Sequence, residues 1–328
     1  MKLTSDLNTQ IVYVLVSSSD DIYLDQFWGS LYSLRRFHPE AKVVVLTDGT
    51  TARRIKTENT LSPLYMLITE LQEVDVPESY NNVLRSRDIK TRARNLIDGD
   101  FFYIDTDTII TAPIDDIDRL EVKNIAMVPD LHRLQLKDNI WDVNRVKMIY
   151  GMNVTDSQTT FFNAGVAYVR DNAMTREFYA KWHENWLVTV KKGYYVDQPG
   201  LFYTNNAFGF IIEKLPDIYN CMGAYSAHYW TDARIIHYLD KGLPLRVLKD
   251  IPHKIHKAQG ITEEVEDLLL NAKSHLSQHT CFCSFYDLAF LNGAFCQFFI
   301  KNGWLYRCIQ KINQWESEWR VRKLNKWK

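Results

Sequence analysis

The stretch Phe101–Ile110, which reads FFYIDTDTII, constrains the fold more than any other part of the chain. Apolar residues on both sides of Asp105 and Asp107 are typical of a strand buried on both faces, as in parallel sheets. Because side chains alternate along an extended chain, the two carboxylates should point to the same side. Paired carboxylates repel each other unless a cation lies between them, and hard divalent ions prefer such oxygen ligands. The alternative is a strand-end turn that carries two solvated acids.

Position distinguishes this pair from two other Asp-x-Asp patterns in the chain. Asp98–Asp100 precedes the strand and resembles its entry turn, and Asp116–Asp118 resembles the acidic first turn of a short helix. Only Asp105 and Asp107 follow an apolar strand at its carboxyl end, which is where open α/β sheets bind ligands. We therefore expect the ligand site at this pair.

The first hundred residues show an α/β order of elements. Residues 10–16 and 41–46 have the composition of buried strands, and residues 21–37 between them show the spacing of an amphipathic helix. This strand–helix–strand order is how nucleotide-binding sheets begin. A further helix is predicted before the Asp-Thr-Asp strand. Most of its cations would form a solvated face, but Arg87 and Lys90 are predicted to lie near a phosphate or a donor sugar.

Three later segments carry polar residues in apolar surroundings. Residues 161–169 form a predicted strand interrupted by Asn163–Gly165, which indicates either a close approach of the backbone to a ligand or a simple bulge. Asp197 and Gln198 open a helix with a proline in its first turn. A late strand carries His237, which in isolation would usually be a hydrogen-bonded core residue.

Composition indicates an ordinary globular protein of 328 residues. Hydrophobic residues make up 46% of the chain and the net charge is -1, so nothing suggests binding to nucleic acid. The amino terminus lacks the apolar region of a signal peptide, and the five cysteines make an odd number. We therefore expect reduced thiols and a cytoplasmic location.

Four signatures, in this order, resemble the glycogenin-like GT-A glycosyltransferases, which use nucleotide-diphosphate sugars. The first is the opening strand, which ends in a small polar loop, and the second is the strand Tyr103–Asp107. The third is Phe162–Val166 followed by Asp197–Gln198, and the fourth is the late strand Ile235–His237. The order is more specific than any single motif. The resemblance implies a GT-A fold, an α/β architecture with a mostly parallel sheet flanked by helices.

The resemblance also implies a metal site and a donor site. In that family two aspartates and a late histidine bind Mn²⁺ or Mg²⁺, which bridges the nucleotide diphosphate, and Asp105, Asp107 and His237 match these positions. An imidazole ligand shifts the preference toward Mn²⁺. The residues that we assign to binding of the nucleotide sugar are Ser17, Ser18, Tyr23, Arg87, Lys90, Thr106, Asn163 and Gly165.

Asp197 and Gln198 are the predicted catalytic residues. They match a pair that retaining members of the family place beside the donor sugar, so the resemblance implies transfer with retention of configuration. In the competing hypothesis Asp197 only caps its helix, and a base such as Asp130 supports inversion.

The chain departs from the family after its histidine. The family continues with a glycine and then Lys-Pro-Trp, whereas His237-Tyr-Leu-Asp-Lys-Gly-Leu-Pro244 lacks that tripeptide. A phosphate contact by Lys241 is therefore not predicted. His253 and His256 stay open as alternative third metal ligands.

Two other functions fit parts of the sequence. Ile104–Thr108 also fits the nucleophile motif of haloacid-dehalogenase-type phosphohydrolases, with Asp105 as nucleophile, although that family places the motif on its first strand. A catalytically silent binding protein could use the same fold. A glycosyltransferase would act on a nucleotide sugar, most simply a UDP-sugar, and on a glycan or glycolipid acceptor.

The carboxyl-terminal part differs in composition from the rest. We predict a GT-A domain over residues 1–258 and a helical, basic-aromatic extension over 259–328. From Lys301 to Lys328 eight Lys or Arg residues alternate with tryptophans and a tyrosine. Such a segment is typical of peripheral contact with an anionic membrane surface, and a helix packed on the main domain is the alternative.

Overall fold

A computed structural model describes residues 7–132, 140–154, 160–222, 229, 232–238, 246–273 and 315. Ten strands and nine α-helices lie in these ranges. The strands are β1 (Gln10–Leu15), β2 (Val43–Thr47), β3 (Glu70–Glu73), β4 (Phe101–Ile104), β5 (Thr108–Ile110), β6 (Ile125–Pro129), β7 (Phe162–Val169), β8 (Ile212–Lys214), β9 (Cys221–Met222) and β10 (Ile235–His237). The helices are α1 (Tyr23–Phe37), α2 (Gly49–Thr57), α3 (Ser62–Tyr65), α4 (Asn82–Leu96), α5 (Ile140–Tyr150), α6 (Ala173–Lys191), α7 (Gln198–Ala207), α8 (Arg246–Ala258) and α9 (Glu263–Leu270).

The main sheet has seven strands in the order β3-β2-β1-β4-β7-β6-β8. Within it β7 is antiparallel to both of its neighbours, whereas the other paired strands are parallel. The amino-terminal end of β7 therefore lies at the same edge as the carboxyl ends of β1, β4 and β6. This reversal brings the start of the 162–169 strand to the ligand-binding edge. The predicted α/β class with a mostly parallel sheet is confirmed.

Apolar side chains cover both faces of the main sheet. Alternate residues of β1 enter opposite layers: Ile11 and Tyr13 pack in the layer that contains α1, while Val12 and Val14 pack in the layer that contains residues of α4 and α6. All of them are buried, as predicted for a strand with a helix layer on each side.

The predicted strand over 101–110 is two strands. Asp105–Asp107 forms a bend between β4 and β5, and β5 leaves the main sheet to pair with β10 in a second sheet of order β5-β10-β9. The apolar run is continuous because both pieces are buried, but they are buried in different sheets. The two carboxylates thus lie where the chain passes from one sheet to the other.

Helices α8 and α9 pack against α1. Ile255 and Leu269 lie beside Gly29 of α1, and the Tyr32 hydroxyl donates to Glu266 over 2.8 Å. The predicted domain boundary at residue 258 falls between these two helices and stays a prediction. Most of the predicted extension lies outside the described residues, and so does the basic-aromatic segment apart from Trp315. Among the described helices, none is long and apolar enough to cross a membrane.

Candidate active site

Asp105, Asp107 and His237 form a cluster suited to a divalent ion. One oxygen from each carboxylate and one imidazole nitrogen lie within 4.8 Å of one another. The topology explains this convergence: β10 pairs with β5 so that His237 lies opposite Thr108, next to the bend. The His237 Nε2 atom lies 3.1 Å from Asp107 Oδ1. Two oxygens and one imidazole nitrogen fit Mn²⁺ better than Mg²⁺, which prefers oxygen ligands.

Gly165 keeps this cluster open. Its carbonyl accepts from the Asp105 N–H over 2.7 Å, so the β7 backbone lies directly against the bend. A Cβ atom at this position would lie 2.4 Å from His237 Cε1 and 2.9 Å from Asp105 Oδ2. Both distances are too short for a side chain. The β7 backbone thus lies close to the bend, beside a register shift between β6 and β7, so the bulge given as the alternative for Asn163–Gly165 is present, and the approach to a ligand stays a prediction.

Two cations from α4 face the acidic residues. The Lys90 ammonium lies 3.0 Å from both oxygens of Asp105 and 3.8 Å from Asp197 Oδ2, and its side chain is only 5% exposed. Arg87 Nε lies 3.5 Å from Asp197 Oδ1. These residues are one helical turn apart and therefore share a face. The Asp197 carboxylate raises the pKa of Arg87.

Asp197 is a functional candidate because its carboxylate does not cap its helix. It occupies the N-cap position of α7, yet the side chain accepts no capping hydrogen bond, and its buried Oδ2 has no hydrogen-bond partner among the described residues. Burial alone would raise the pKa of this carboxyl, but Arg87 and Lys90 outweigh burial and lower it. The side chain is thus an anion that is paired with cations and directed into the cleft.

His237 is buried and holds two hydrogen-bond partners. Burial alone would lower its pKa, but the Asp107 carboxylate outweighs burial, and the pKa of His237 is raised. On the other side of the ring, Nδ1 lies 2.9 Å from Asn220 Oδ1. His256 instead pairs with Asp25 over 3.0 Å, and His253 lies on the same helix, α8. The structure therefore brings His237, and neither alternative histidine, to the aspartate pair.

A cleft of about 420 Å³ surrounds these groups. It receives polar atoms from the ends of β1, β4 and β6, from the start of β7, and from α4 and α7. Of the predicted residues it is lined by Tyr23, Arg87, Lys90, Asp105, Thr106, Asp107, Asn163, Gly165, Asp197, Gln198 and His237. Asp130 lines it too, and its carboxylate accepts from Asn163 Nδ2 over 3.0 Å.

Ser17 and Ser18 lie beside this cleft and are not among its lining residues. Both hydroxyls donate to Asp21, over 2.6 Å and 3.0 Å, and Asn82 Nδ2 donates to the same carboxylate over 3.1 Å. These bonds hold the loop after β1 against the start of α4. Their assignment to binding of the nucleotide sugar stays a prediction. Lys241 lies outside the described residues.

Three residues of the site were missed from the sequence. The Tyr103 hydroxyl donates to Asp105 Oδ1, and the tyrosine ring lies 4.9 Å from the Lys90 ammonium. Its place two residues before Asp105 could have indicated this contact, because such residues share a face of a strand. Asn220 and Asp21 lie in irregular segments, where no periodicity points to a partner.

Comparison with known proteins supports the fold. No protein-family model and no curated protein matches the sequence. Among solved structures, the galactosyltransferase LgtC, in complex with donor and acceptor sugar analogs, matches 80% of this chain and 99% of its own length, with a TM-score of 0.51 at 15% identity. An active-site variant of LgtC gives a TM-score of 0.51 at 14% identity over the same shares.

The chain has the GT-A fold. The bifunctional glycosyltransferase WbbM also matches, over 79% of this chain with a TM-score of 0.49 at 14% identity, and the chain spans 51% of that protein's length. In a GT-A fold the carboxyl edge of the sheet is the ligand edge, and here it holds the Asp105, Asp107 and His237 cluster.

Proposed function

We propose that this chain is a metal-dependent glycosyltransferase that moves a sugar from a nucleotide-diphosphate donor, a UDP-sugar, to a glycan or glycolipid acceptor with retention of configuration. The observation that carries the proposal is the convergence of Asp105, Asp107 and His237 at the ligand edge of a GT-A fold. The donor and acceptor sugar analogs bound to LgtC support a sugar as acceptor.

The residues of the cleft suit a diphosphate leaving group. The two aspartates and His237 would hold Mn²⁺ or Mg²⁺, which would supply electrostatic stabilisation of the charge that develops on the departing diphosphate. Lys90 and Tyr103 both donate to the Asp105 carboxylate and fix its position, with Oδ2 on the side of Gly165. These contacts hold the ligands in place before the donor binds, so little reorganisation accompanies the reaction.

Asp197 and Gln198 are proposed to act beside the donor sugar. Both line the cleft, and Gln198 is fixed by a hydrogen bond of 3.3 Å to the Phe162 carbonyl. An anion at Asp197 can accept a sugar hydroxyl, and its pairing with Arg87 keeps it ionised. Asp130 is less suited to serve as the base for inversion, because its carboxylate is buried and already bound to Asn163.

A panel of nucleotide sugars, assayed with Mn²⁺ for release of nucleotide and of inorganic phosphate separately, tests the proposal. We expect nucleotide release that stops in EDTA, and loss of transfer in Asp105→Asn and Asp107→Asn with the fold retained in the circular dichroism spectrum. Phosphate release from small phosphate esters would instead support the phosphohydrolase. Binding without turnover of any donor would support the silent binding protein.

Retention of the donor's anomeric configuration is tested by a separate measurement. An α-linked nucleotide sugar should give an α-linked product in a proton NMR spectrum of the fresh reaction. A β-anomeric product would overturn the assignment of Asp197 and Gln198 and would favour a base such as Asp130.

We also propose that the segment Lys301–Lys328 contacts an anionic membrane surface, on the basis of its cations and tryptophans alone. Co-sedimentation with liposomes that contain an anionic lipid tests this. Equal pelleting of the full chain and of a chain that ends near residue 300 would overturn it.

A further inference from the structure

Asn163 has an amide orientation that the backbone fixes. The N–H of Gly165 donates to Asn163 Oδ1 over 2.9 Å, and a backbone N–H can only donate. The other end of the same amide, Nδ2, donates to the Asp130 carboxylate. Both neighbours therefore require the same orientation, with the oxygen toward Gly165.

The orientation of Asn163 determines that of Asn220. The group of Asn220 that lies 3.1 Å from Asn163 Oδ1 has to be its Nδ2, since two amide oxygens cannot share a hydrogen bond. Asn220 Oδ1 then faces His237 Nδ1 at 2.9 Å. Asn220 is fully buried, so water does not replace either contact. The oxygen can only accept, and His237 Nδ1 therefore carries a proton.

We propose that Asn220 is a positioning residue that fixes His237 in the tautomer with its proton on Nδ1, which leaves Nε2 for the metal. Nε2 is the nitrogen on the side of Asp107. Metal-binding histidines commonly donate their other ring N–H to an oxygen that fixes both the tautomer and the ring orientation. The role of the bound ion rests on the proposed function, whereas the tautomer follows from the hydrogen bonds alone.

Asn220 is needed because the Asp107 carboxylate favours the opposite tautomer. A carboxylate 3.1 Å from Nε2 attracts a proton to that nitrogen, where it would block the metal. The acceptor at Asn220 offsets this preference by holding the proton on Nδ1. Because Asn163 also lines the cleft, the chain of amides from Gly165 to His237 joins the metal ligand to the predicted donor contact.

Nitrogen NMR of the metal-free protein tests the tautomer directly. With ¹⁵N-labelled histidine at alkaline pH, where the ring is neutral, the signal that disappears in His237→Gln identifies this residue. We expect Nδ1 protonated and Nε2 unprotonated in the wild-type chain, and a shift of the proton to Nε2 in Asn220→Leu. A wild-type ring with its proton on Nε2 would overturn the proposal, whether or not the protein binds metal.

Mn²⁺ titration by calorimetry measures the consequence. Asn220→Leu should bind Mn²⁺ about 10- to 100-fold more weakly, which is the usual loss when a residue that hydrogen-bonds a metal ligand is replaced. Asn205→Leu is the matched control, because Asn205 is equally buried and its amide accepts from Ile212 N–H away from the cleft. This control should leave the affinity for Mn²⁺ unchanged.

Asn220→Asp keeps an acceptor toward His237 Nδ1 but loses the donor to Asn163 Oδ1. It should therefore retain the tautomer, with an affinity for Mn²⁺ between those of the wild type and Asn220→Leu, which separates positioning from packing even if Asn220→Leu fails to fold. If the wild-type chain binds no Mn²⁺ but shows the expected tautomer, the proposed function fails and this inference stands. Wild-type affinity in Asn220→Leu, or an Asp variant as weak as the Leu variant, would overturn the inference.

Discussion

At the scale of single residues, Gly165 determines whether the proposed metal ligands can assemble. Gly165→Ala would place a methyl group 2.4 Å from His237 Cε1, and the rigid β7 backbone cannot move away without disturbing the bend at Asp105. We expect a loss of about 1–3 kcal/mol in stability, typical of overpacking, and a larger loss of Mn²⁺ affinity. Denaturant unfolding and metal titration measure both quantities.

The control for this substitution is Gly29→Ala in α1. A Cβ there would make ordinary contacts of 3.4 to 3.7 Å with Ile251, Ile255 and Leu269. Replacing a glycine inside a helix by alanine is usually stabilising by roughly 0.5–1 kcal/mol. Equal effects of the two substitutions on Mn²⁺ affinity would contradict the role given to Gly165.

His237 should make the proposed metal binding depend on pH. Burial alone would lower the pKa of His237, but the Asp107 carboxylate raises it, so in the metal-free protein the ring keeps its second proton to a higher pH than an ordinary histidine does. A metal ion must displace that proton. The affinity for Mn²⁺ should therefore rise with pH, and the rise should extend above the ordinary histidine pKa of about 6.5, with proton release on binding. Calorimetry in two buffers of different ionisation enthalpy measures the protons released, and a pH-independent affinity without release would contradict the prediction.

At the scale of elements, α4 supplies the positive charge of the site. Lys90 is almost fully buried against Asp105, so Lys90→Met should remove a charge-assisted hydrogen bond and leave the carboxylate without its cation. We expect the metal-free variant to lose roughly 1.5–3 kcal/mol in stability. Mn²⁺ should restore part of that loss, because it neutralises the same carboxylate. Thermal unfolding with and without Mn²⁺ measures both effects.

Lys181→Met in α6 is the matched control for Lys90. Lys181 pairs with Glu184 over 2.7 Å, but both side chains are at least half exposed. Such surface pairs contribute about 0–1 kcal/mol, and this one has no connection to the metal site. The role given to Lys90 would be wrong if Lys181→Met were as destabilising as Lys90→Met. It would also be wrong if Mn²⁺ restored no stability to Lys90→Met.

The elements also show what a sequence can predict. The apolar alternation of β1 and the spacing of α1 are local properties, and the structure confirms both. The break at Asp105–Asp107 is not local: β5 separates from β4 because it pairs with β10, which comes much later in the chain. Asn220 was missed for the same reason, since its partners converge only after the second sheet forms. The aspartates were found because they follow an apolar strand, where polar residues are conspicuous, whereas His237 was assigned only through the family resemblance.

At the scale of the whole molecule, a bound ion should stabilise the fold. A ligand that binds only the folded state stabilises it by about 2.7 kcal/mol at a concentration of 100 times its Kd. Mn²⁺ should therefore raise the melting temperature of the wild-type chain, and the Asp107→Asn variant should show little change. A differential scanning experiment with Mn²⁺ and with EDTA measures this difference. Equal shifts in both proteins would indicate that Mn²⁺ binds elsewhere.

The passage of the chain from one sheet to the other has a mechanical consequence. Asp105 follows the last strand residue of β4 in the main sheet, while His237 belongs to the second sheet, whose described strands are only two or three residues long. Short strands share few backbone hydrogen bonds and hold each other weakly. An ion bound by both residues would act as a cross-link between the two sheets, so the event that completes the proposed diphosphate site would also stiffen the frame around it.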